Sequence, residues 1–240
     1  MRRVLSVAIV QKQNKQQAGV IAVKKAYDSI KSSIIEFRLM PGSRINEVEL
    51  AAELGMSRAP VREALNRLVE SGFVTFDPGK GFFCRRFTLA DFSDLYEVRY
   101  DLETAAVRKA CEKHSDPSVS ELVQFWHGVA SRQHSMSIDD LIASDEDFHL
   151  RIAHIAGNAE RTKLLQNIYE RIRFIRKIHI ESEPRRTDFV SEHVRLALAI
   201  SKGAVAEAQD IIALHLGANT RELSDDIREG LARIYAEDLQ

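Results

Sequence analysis

Between Asn46 and Leu68 the chain reads NEVELAAELGMSRAPVREALNRL, and two helical patterns meet at one glycine. The first pattern places apolar residues at Val48, Leu50, Ala51 and Leu54. Gly55 interrupts it, as a residue that ends a helix at positive φ does. Ser57 follows in the N-cap position, where a hydroxyl can accept from a free backbone N–H of the first turn. The second pattern places Val61, Ala64, Leu65 and Leu68 at i, i+3, i+4 and i+7, all on one helical face. Two short helices around a tight glycine corner predict a helix-turn-helix. The second helix of such a pair is the one that enters a DNA major groove. Arg58, Arg62 and Asn66 stand one turn apart, outside the apolar arc. Arginine can pair with a guanine edge or a phosphate, and asparagine with adenine. The spacing alone also fits an ordinary helix pair with a solvated basic face.

The flanks extend the pattern. Residues 1–19 read as a poorly ordered arm. From Val20 to Phe37 the positions Val23, Tyr27, Ile30, Ile34 and Phe37 predict an amphipathic helix. Met40-Pro41-Gly42 ends it, since adjacent Pro and Gly favour a turn. After Ser71-Gly72 the runs FVTFD and FFCRRF surround Pro78-Gly79-Lys80-Gly81 and predict a β-hairpin. A hairpin just after a recognition helix stands where a wing would. Lys80, Arg85 and Arg86 would bring charge near phosphates, and Gly79 and Gly81 would let backbone approach DNA closely. A generic surface hairpin is the other reading.

Charge is distributed unevenly. Residues 1–90 carry 15 Lys+Arg against 8 Asp+Glu, and residues 91–240 carry 19 against 27. The net charge of −1 hides a basic front and an acidic back, which suggests that one part meets polyanion and the other does not. Cys84 and Cys111 lack CxxC spacing, which argues against a disulfide framework or a thiolate zinc site. The opening MRRVLSVAIV has an apolar run too short to span a membrane, with no evident small-residue cleavage site after it. These features predict a cytoplasmic protein with no membrane partner.

From Thr88 onward the pattern is helical. Start and stop signals predict helices over 89–114, 117–134, 138–156, 159–181, 187–202 and 204–223, with a tail helix over 225–237. Asp116-Pro117 looks like an N-cap with proline in the first turn; Gly157-Asn158, Pro184 and Gly203 mark breaks. This is a helical bundle. Several polar residues fall where its core should be. Asp145 and His149 are i and i+4 on the stripe of Leu141, Phe148, Ile152 and Ile155. His193 lies on the apolar side with Val190, Ala197 and Ile200, and His215 with Ile211, Ile212 and Ala218. Unpaired buried polar groups are costly. A divalent transition metal removes that cost, because imidazole and carboxylate suit zinc, nickel, manganese or iron. His114, His127, His134, His154 and His179 lack this joint arrangement. Arg99 shares a stripe with Leu95, Leu102 and Ala106, and a core-facing guanidinium needs an anion. Glu103 could supply it locally, or a bound carboxylate could, since arginine grips carboxylates with two hydrogen bonds. Arg173 and Arg176, on helix 159–181, are weaker candidates for such a contact, and a solvated face explains them as well.

The stretch PGSRINEVELAAELGMSRAPVREALNRLVESGFVTFDPGKGFF closely resembles the winged-helix domain of GntR-family transcriptional regulators. LYEVRYDLETAA, DEDFH, SEHVRLALAISKGAVAEA and the final ALHL resemble the FCD effector domain of the FadR-type subfamily. The resemblance covers the chain from about residue 20, past the arm read as disordered over 1–19, and implies a mainly α protein: a winged helix-turn-helix over 20–87 and an all-α, FCD-like effector and dimerisation bundle over 88–240. It implies a metal held by Asp145, His149, His193 and His215, with zinc the first candidate. It implies DNA contacts from Arg58, Arg62 and a wing glycine, Gly79 or Gly81. Asn66 and Lys80 join that set from the residue reading above. Some members carry a further base-reading arginine early in the helix before the corner, where this chain has Val48 or Glu49, so the operator sequence does not carry over. The family is typically dimeric and responds to small organic acids, which fits Arg99 beside a metal. The expected function is a metabolite-responsive regulator of double-stranded operator DNA, most often a repressor. The competing expectation is a metal-dependent hydrolase using the Asp/His₃ site.

Overall fold

The computed structural model describes the backbone of residues 2–181, 183–217 and 220–236, and side chains within 17–181, 186–216, 224–233 and at 235. The chain divides into two compact units, Met1–Arg86 and Phe87–Gln240.

In the first unit, helix α1 (Arg2–Ile35) begins well before Val20, inside the stretch read from sequence as an arm. That stretch holds no proline and one glycine, Gly19, so nothing in it stops a helix. At its other end α1 stops at Ile35; Phe37 has φ 55 and lies past the helix, off the predicted stripe. Ala26, Ile30 and Ile34 form the buried face.

Asn46 starts α2 (Glu47–Glu53) by accepting from the backbone N–H groups of Val48 and Glu49 at 3.0 and 3.4 Å. The corner then closes with two backbone bonds, Gly55 N–H to Ala52 O at 3.1 Å and Met56 N–H to Ala51 O at 3.0 Å. This paired pattern requires a left-handed residue, and Gly55 supplies it at φ 63. Ser57 does occupy the N-cap of α3 (Arg58–Glu70), but its hydroxyl makes no capping bond. One of its two usual donors is missing from the sequence: the third helical residue is Pro60, which has no N–H to offer. Val48 also departs from expectation. It is 55% exposed, and α2 buries only Leu50 and Ala51. On α3 all four predicted residues, Val61, Ala64, Leu65 and Leu68, are fully buried.

The hairpin forms from β2 (Val74–Asp77) and β3 (Gly81–Cys84), with Asp77 opposite Gly81 and Val74 opposite Cys84. Pro78 and Gly79 turn the chain, with Gly79 at φ 88 and Lys80 N–H bonded to Asp77 O at 3.0 Å. Pro then Gly is what a type II turn requires. A third strand, β1 (Arg44–Ile45), pairs antiparallel with β3 and makes the order β1-β3-β2. Two residues carry no periodic signal, so β1 was not legible beforehand.

The second unit contains α4 (Leu89–Cys111), α5 (Pro117–Ala130), α6 (Ile138–Ala156), α7 (Ala159–Glu181), α8 (Glu183–Ser201), α9 (Val205–Gly217) and α10 (Thr220–Ala236). Its punctuation is local. Thr88 and Asp91 form a reciprocal capping box on α4, Asp116 caps α5 ahead of Pro117, and Gly157 ends α6 at φ 80. Several boundaries differ from expectation, beginning with α4, which ends at Cys111 and not at 114. α5 stops at Ala130 and a 3-10 turn, Gln133–Ser135, follows. α8 is described from Glu183, ahead of the expected 187 and with Pro184 inside it, so Pro184 does not keep the helix from starting earlier. α9 is described as far as Gly217, and α10 from Thr220, ahead of the expected 225. Ala218 and position 237 lie outside the described residues. α4 packs against α6 and α9, α5 against α8 and α6, and α7 against α6 and α10. No described helix is long and apolar enough to cross a membrane.

Candidate metal centre and nucleic-acid interface

Asp145 and His149 on α6, His193 on α8 and His215 on α9 offer ligand atoms that all lie within 4.8 Å of one another. Asp145, His149 and His193 are at most 1% exposed. His193 Nε2 is 2.7 Å from Asp145 Oδ1 and 3.1 Å from His149 Nε2, and His149 Nε2 is 3.2 Å from the same carboxylate oxygen.

The outer ring nitrogens decide what these distances mean. His193 Nδ1 lies 2.7 Å from the Phe189 carbonyl oxygen, which can only accept, so Nδ1 carries the proton. His215 Nδ1 lies 2.8 Å from Glu192 Oε2, and His149 Nδ1 lies 2.5 Å from Glu103 Oε2, two more acceptors. The His149 contact is close but too poorly aligned to count as a hydrogen bond. With the protons outside, the Nε2 lone pairs of His193 and His149 face inward, toward a carboxylate that also only accepts. Acceptors this close repel unless a cation lies among them. Ligands about 2.1 Å from one ion stand roughly 3 Å apart, which is the spacing seen here. The residues therefore fit a divalent transition metal.

Electrostatics agree. Burial, then the charges of His215 and His149, push His193 well below 6.5. Burial, then His149 and Arg99, do the same to His215. Both are neutral imidazoles, the form that binds metal. Trp126, fully buried on α5, holds His193 in place. Its ring stacks on the imidazole at 4.3 Å and 22°, while its Nε1 donates to Val190 O at 3.0 Å.

Arg99 is 4% exposed, and its Nε donates to Glu103 Oε1 at 2.6 Å. Tyr169 donates to the same oxygen at 2.8 Å. Burial opposes the Glu103 charge, but His149 and Arg99 outweigh it and hold this carboxyl well below its usual range. Glu103 thus joins Arg99 to a metal-site histidine. The local partner proposed from sequence is present, yet Arg99 Nη2 still has no hydrogen-bond partner among the described residues.

Sequence reasoning passed over two participants and gave a third too little weight. Glu192 gives no periodic signal, and Trp126 reads as ordinary core. Arg176, a weaker candidate that a solvated face also explained, is 6% exposed and meets Asp145 Oδ2. Arg173, 33% exposed and 2.9 Å from Glu146, does fit that description. His114, His127, His134 and His154 are exposed, and His179 pairs with buried Asp226 at 2.7 Å.

In the first unit Arg58, Arg62 and Asn66 are all exposed on α3. Arg62 comes within 3.8 Å of Glu47 on α2. Gly79 and Lys80 sit at the exposed hairpin tip, where Lys80 pairs with Asp77 at 3.0 Å; Gly81 is half-buried at φ 98.

Known proteins match both units. Residues 22–84 match the family of bacterial regulatory proteins, gntR family, and residues 94–218 match the FCD domain. The chain is 36% identical over 201 residues to the Nta operon transcriptional regulator of Aminobacter aminovorans, covering 84% of this chain and 94% of that one. It is 23% identical to the HTH-type transcriptional repressor RspR of Escherichia coli (strain K12), over 86% of this chain and 89% of that one. The solved structure of E. coli McbR/YncC shares the fold, with a TM-score of 0.67 at 21% identity over 89% of this chain and 98% of that one. The family and these relatives are transcriptional regulators and not enzymes, which removes the hydrolase alternative. A DNA-binding domain followed by an FCD effector domain, matched in order along most of its length, makes this chain a transcriptional regulator of the GntR family.

Proposed function

We propose that this regulator is a cytoplasmic homodimer that represses transcription by binding double-stranded operator DNA, and that a small carboxylate metabolite controls it. Arg62 and Asn66 read base edges, Arg58 and Lys80 hold phosphates, and Gly79 and Gly81 let the wing backbone lie close to DNA. In the bundle, Asp145, His149, His193 and His215 hold one divalent metal, zinc first among the candidates. The observation that carries this reading is the set of inward-facing acceptors, with His193 Nε2 2.7 Å from Asp145 Oδ1 and its proton committed to Phe189 O.

When bound, the metal supplies positive charge and open coordination positions for carboxylate oxygens. The chain does the rest. Glu103, Glu192 and the Phe189 carbonyl orient the imidazoles, and Arg99 offers its unpaired Nη2 to the ligand. Arg99 lies on α4, the first helix after the winged unit in the chain. A ligand alters DNA affinity only if it binds the DNA-bound and DNA-free states differently, and Arg99 would report ligand occupancy to α4. The test is metal content alongside gel mobility of operator DNA. His193→Ala should lose metal and weaken the response to acid while still retarding DNA. Full metal occupancy in a His149/His193/His215 triple alanine variant would eliminate the site.

A further inference from the structure

Arg176 has a place in the bundle that pairing with Asp145 does not explain. Its Nη2 meets Asp145 Oδ2, but its Nη1 is buried with no hydrogen-bond partner among the described residues. The contact from Nη1 to Glu146 Oε1 is 3.9 Å, beyond hydrogen-bond reach. Arg99 Nη2 is in the same state. The two guanidiniums come from different helices, α4 and α7, and meet at one side chain: their central carbons lie 5.3 and 5.4 Å from the Tyr169 ring centroid. Buried donors without acceptors are rare in folded proteins, and each calls for a partner.

The charges point to what that partner is. Arg99 and Arg176 are balanced by Glu103 and Asp145, all four nine-tenths or more buried. Glu146 bonds Arg173 through Oε2 at 2.9 Å and leaves its buried Oε1 3.9 Å from Arg176 Nη1, one carboxylate shared by two guanidiniums; Asp226 pairs with His179 at 2.7 Å, and Glu192 is half-exposed beside His215. A divalent cation on the four ligands adds two positive charges, and no fully buried anion is left to meet them.

We propose that Arg99 and Arg176 form a two-guanidinium clamp for a dianion, and that the ligand is a small dicarboxylate rather than a monocarboxylic acid. The inference rests on the metal-and-acid reading above and adds the ligand's second charge and the residue that selects for it. Guanidinium forks match carboxylate and phosphate oxygens alike, so the test separates these sources.

The experiment is calorimetric titration of the metal-loaded, full-length protein with malonate, succinate, propionate and inorganic phosphate, with metal content measured in parallel. Malonate or succinate should bind at least about ten-fold tighter than propionate. Arg176→Met should keep its metal and lose that preference, and Arg176→Lys should restore part of it. A merely structural role for Arg176 would weaken all four acids alike and leave the preference intact, which overturns the proposal. So does a wild-type protein that binds propionate as tightly as the dicarboxylates, or phosphate more tightly. Binding without preference refutes the clamp alone. No binding of any acid refutes the carboxylate reading as well. The wild-type panel and the lysine variant decide the matter even if Arg176→Met fails to fold.

Discussion

Glu103→Gln should separate the structural and the metal-orienting roles of one buried carboxylate. Glu103 is 3% exposed, accepts from Arg99 Nε at 2.6 Å and Tyr169 Oη at 2.8 Å, and lies 2.5 Å from His149 Nδ1. Glutamine keeps the shape and removes the charge. Arg99 is then a buried cation without its anion, a change that costs about 3–5 kcal/mol. His149 loses the carboxylate charge beside its Nδ1, and such orienting partners are worth about 10–100-fold in metal affinity. Trp126 is the only tryptophan and lies in the bundle, so its fluorescence in urea reports this unit without the winged one. Chelated protein at pH 7 gives the stability change, and competition with a chromophoric chelator gives the metal affinity. Glu192→Gln is the control. Its side chain is 36% exposed, so it should lose metal affinity by about ten-fold with under about 1 kcal/mol of stability. Acid titration of the metal-free wild type adds a check. His193 and His215 have folded values below 6.5, so the unfolded chain takes protons first and stability falls as pH drops below about 6.5. Glu103 is also lowered, so its contribution is present above about 4.5 and is lost as pH falls further. If Glu103→Gln is within about 1 kcal/mol of wild type, the charge-pair argument is wrong.

The remaining predictions concern DNA, assembly and the corner. Arg62→Ala should weaken operator binding by about 1–3 kcal/mol with the fold intact, while Lys80→Ala should act evenly across sequences and lower the salt slope by about one; unchanged affinity in Arg62→Ala would remove α3 as the reading helix. A fragment lacking residues 1–87 should sediment as a dimer, because two-fold operators match two-fold proteins, and a monomer would refute dimerisation through the bundle. Gly55→Ala should cost about 1–2 kcal/mol in thermal unfolding of the winged unit, since a Cβ at φ 63 is strained although no atom lies within 4 Å of it; no shift in melting would mean the corner relaxes.

Sequence alone settled what depends on local period and local chemistry. The arc of Val61, Ala64, Leu65 and Leu68, the corner at Gly55, the hairpin around Pro78-Gly79 and the caps at Asp116 and Gly157 are each written within a few residues. A helix repeats every 3.6 residues and a left-handed turn needs glycine wherever the fold lies. The quartet Asp145, His149, His193 and His215 was legible for the same reason, since each sits on an apolar stripe and stripes face the core. Tertiary structure decided the rest. Val48 looks apolar in sequence, but α2 packs by one face only and leaves it in solvent. Sequence leaves Arg176 between a ligand contact and a solvated face, and α7 is covered on enough sides to bury it off the main stripe. Glu192 and Trp126 act on histidines held by other helices, and Arg99 meets Arg176 across 77 positions at the ring of Tyr169. Periodicity shows which way a side chain points along its own helix. It carries nothing about which partner arrives from another helix, and ring protonation, orphaned donors and the charge of a pocket all depend on that partner.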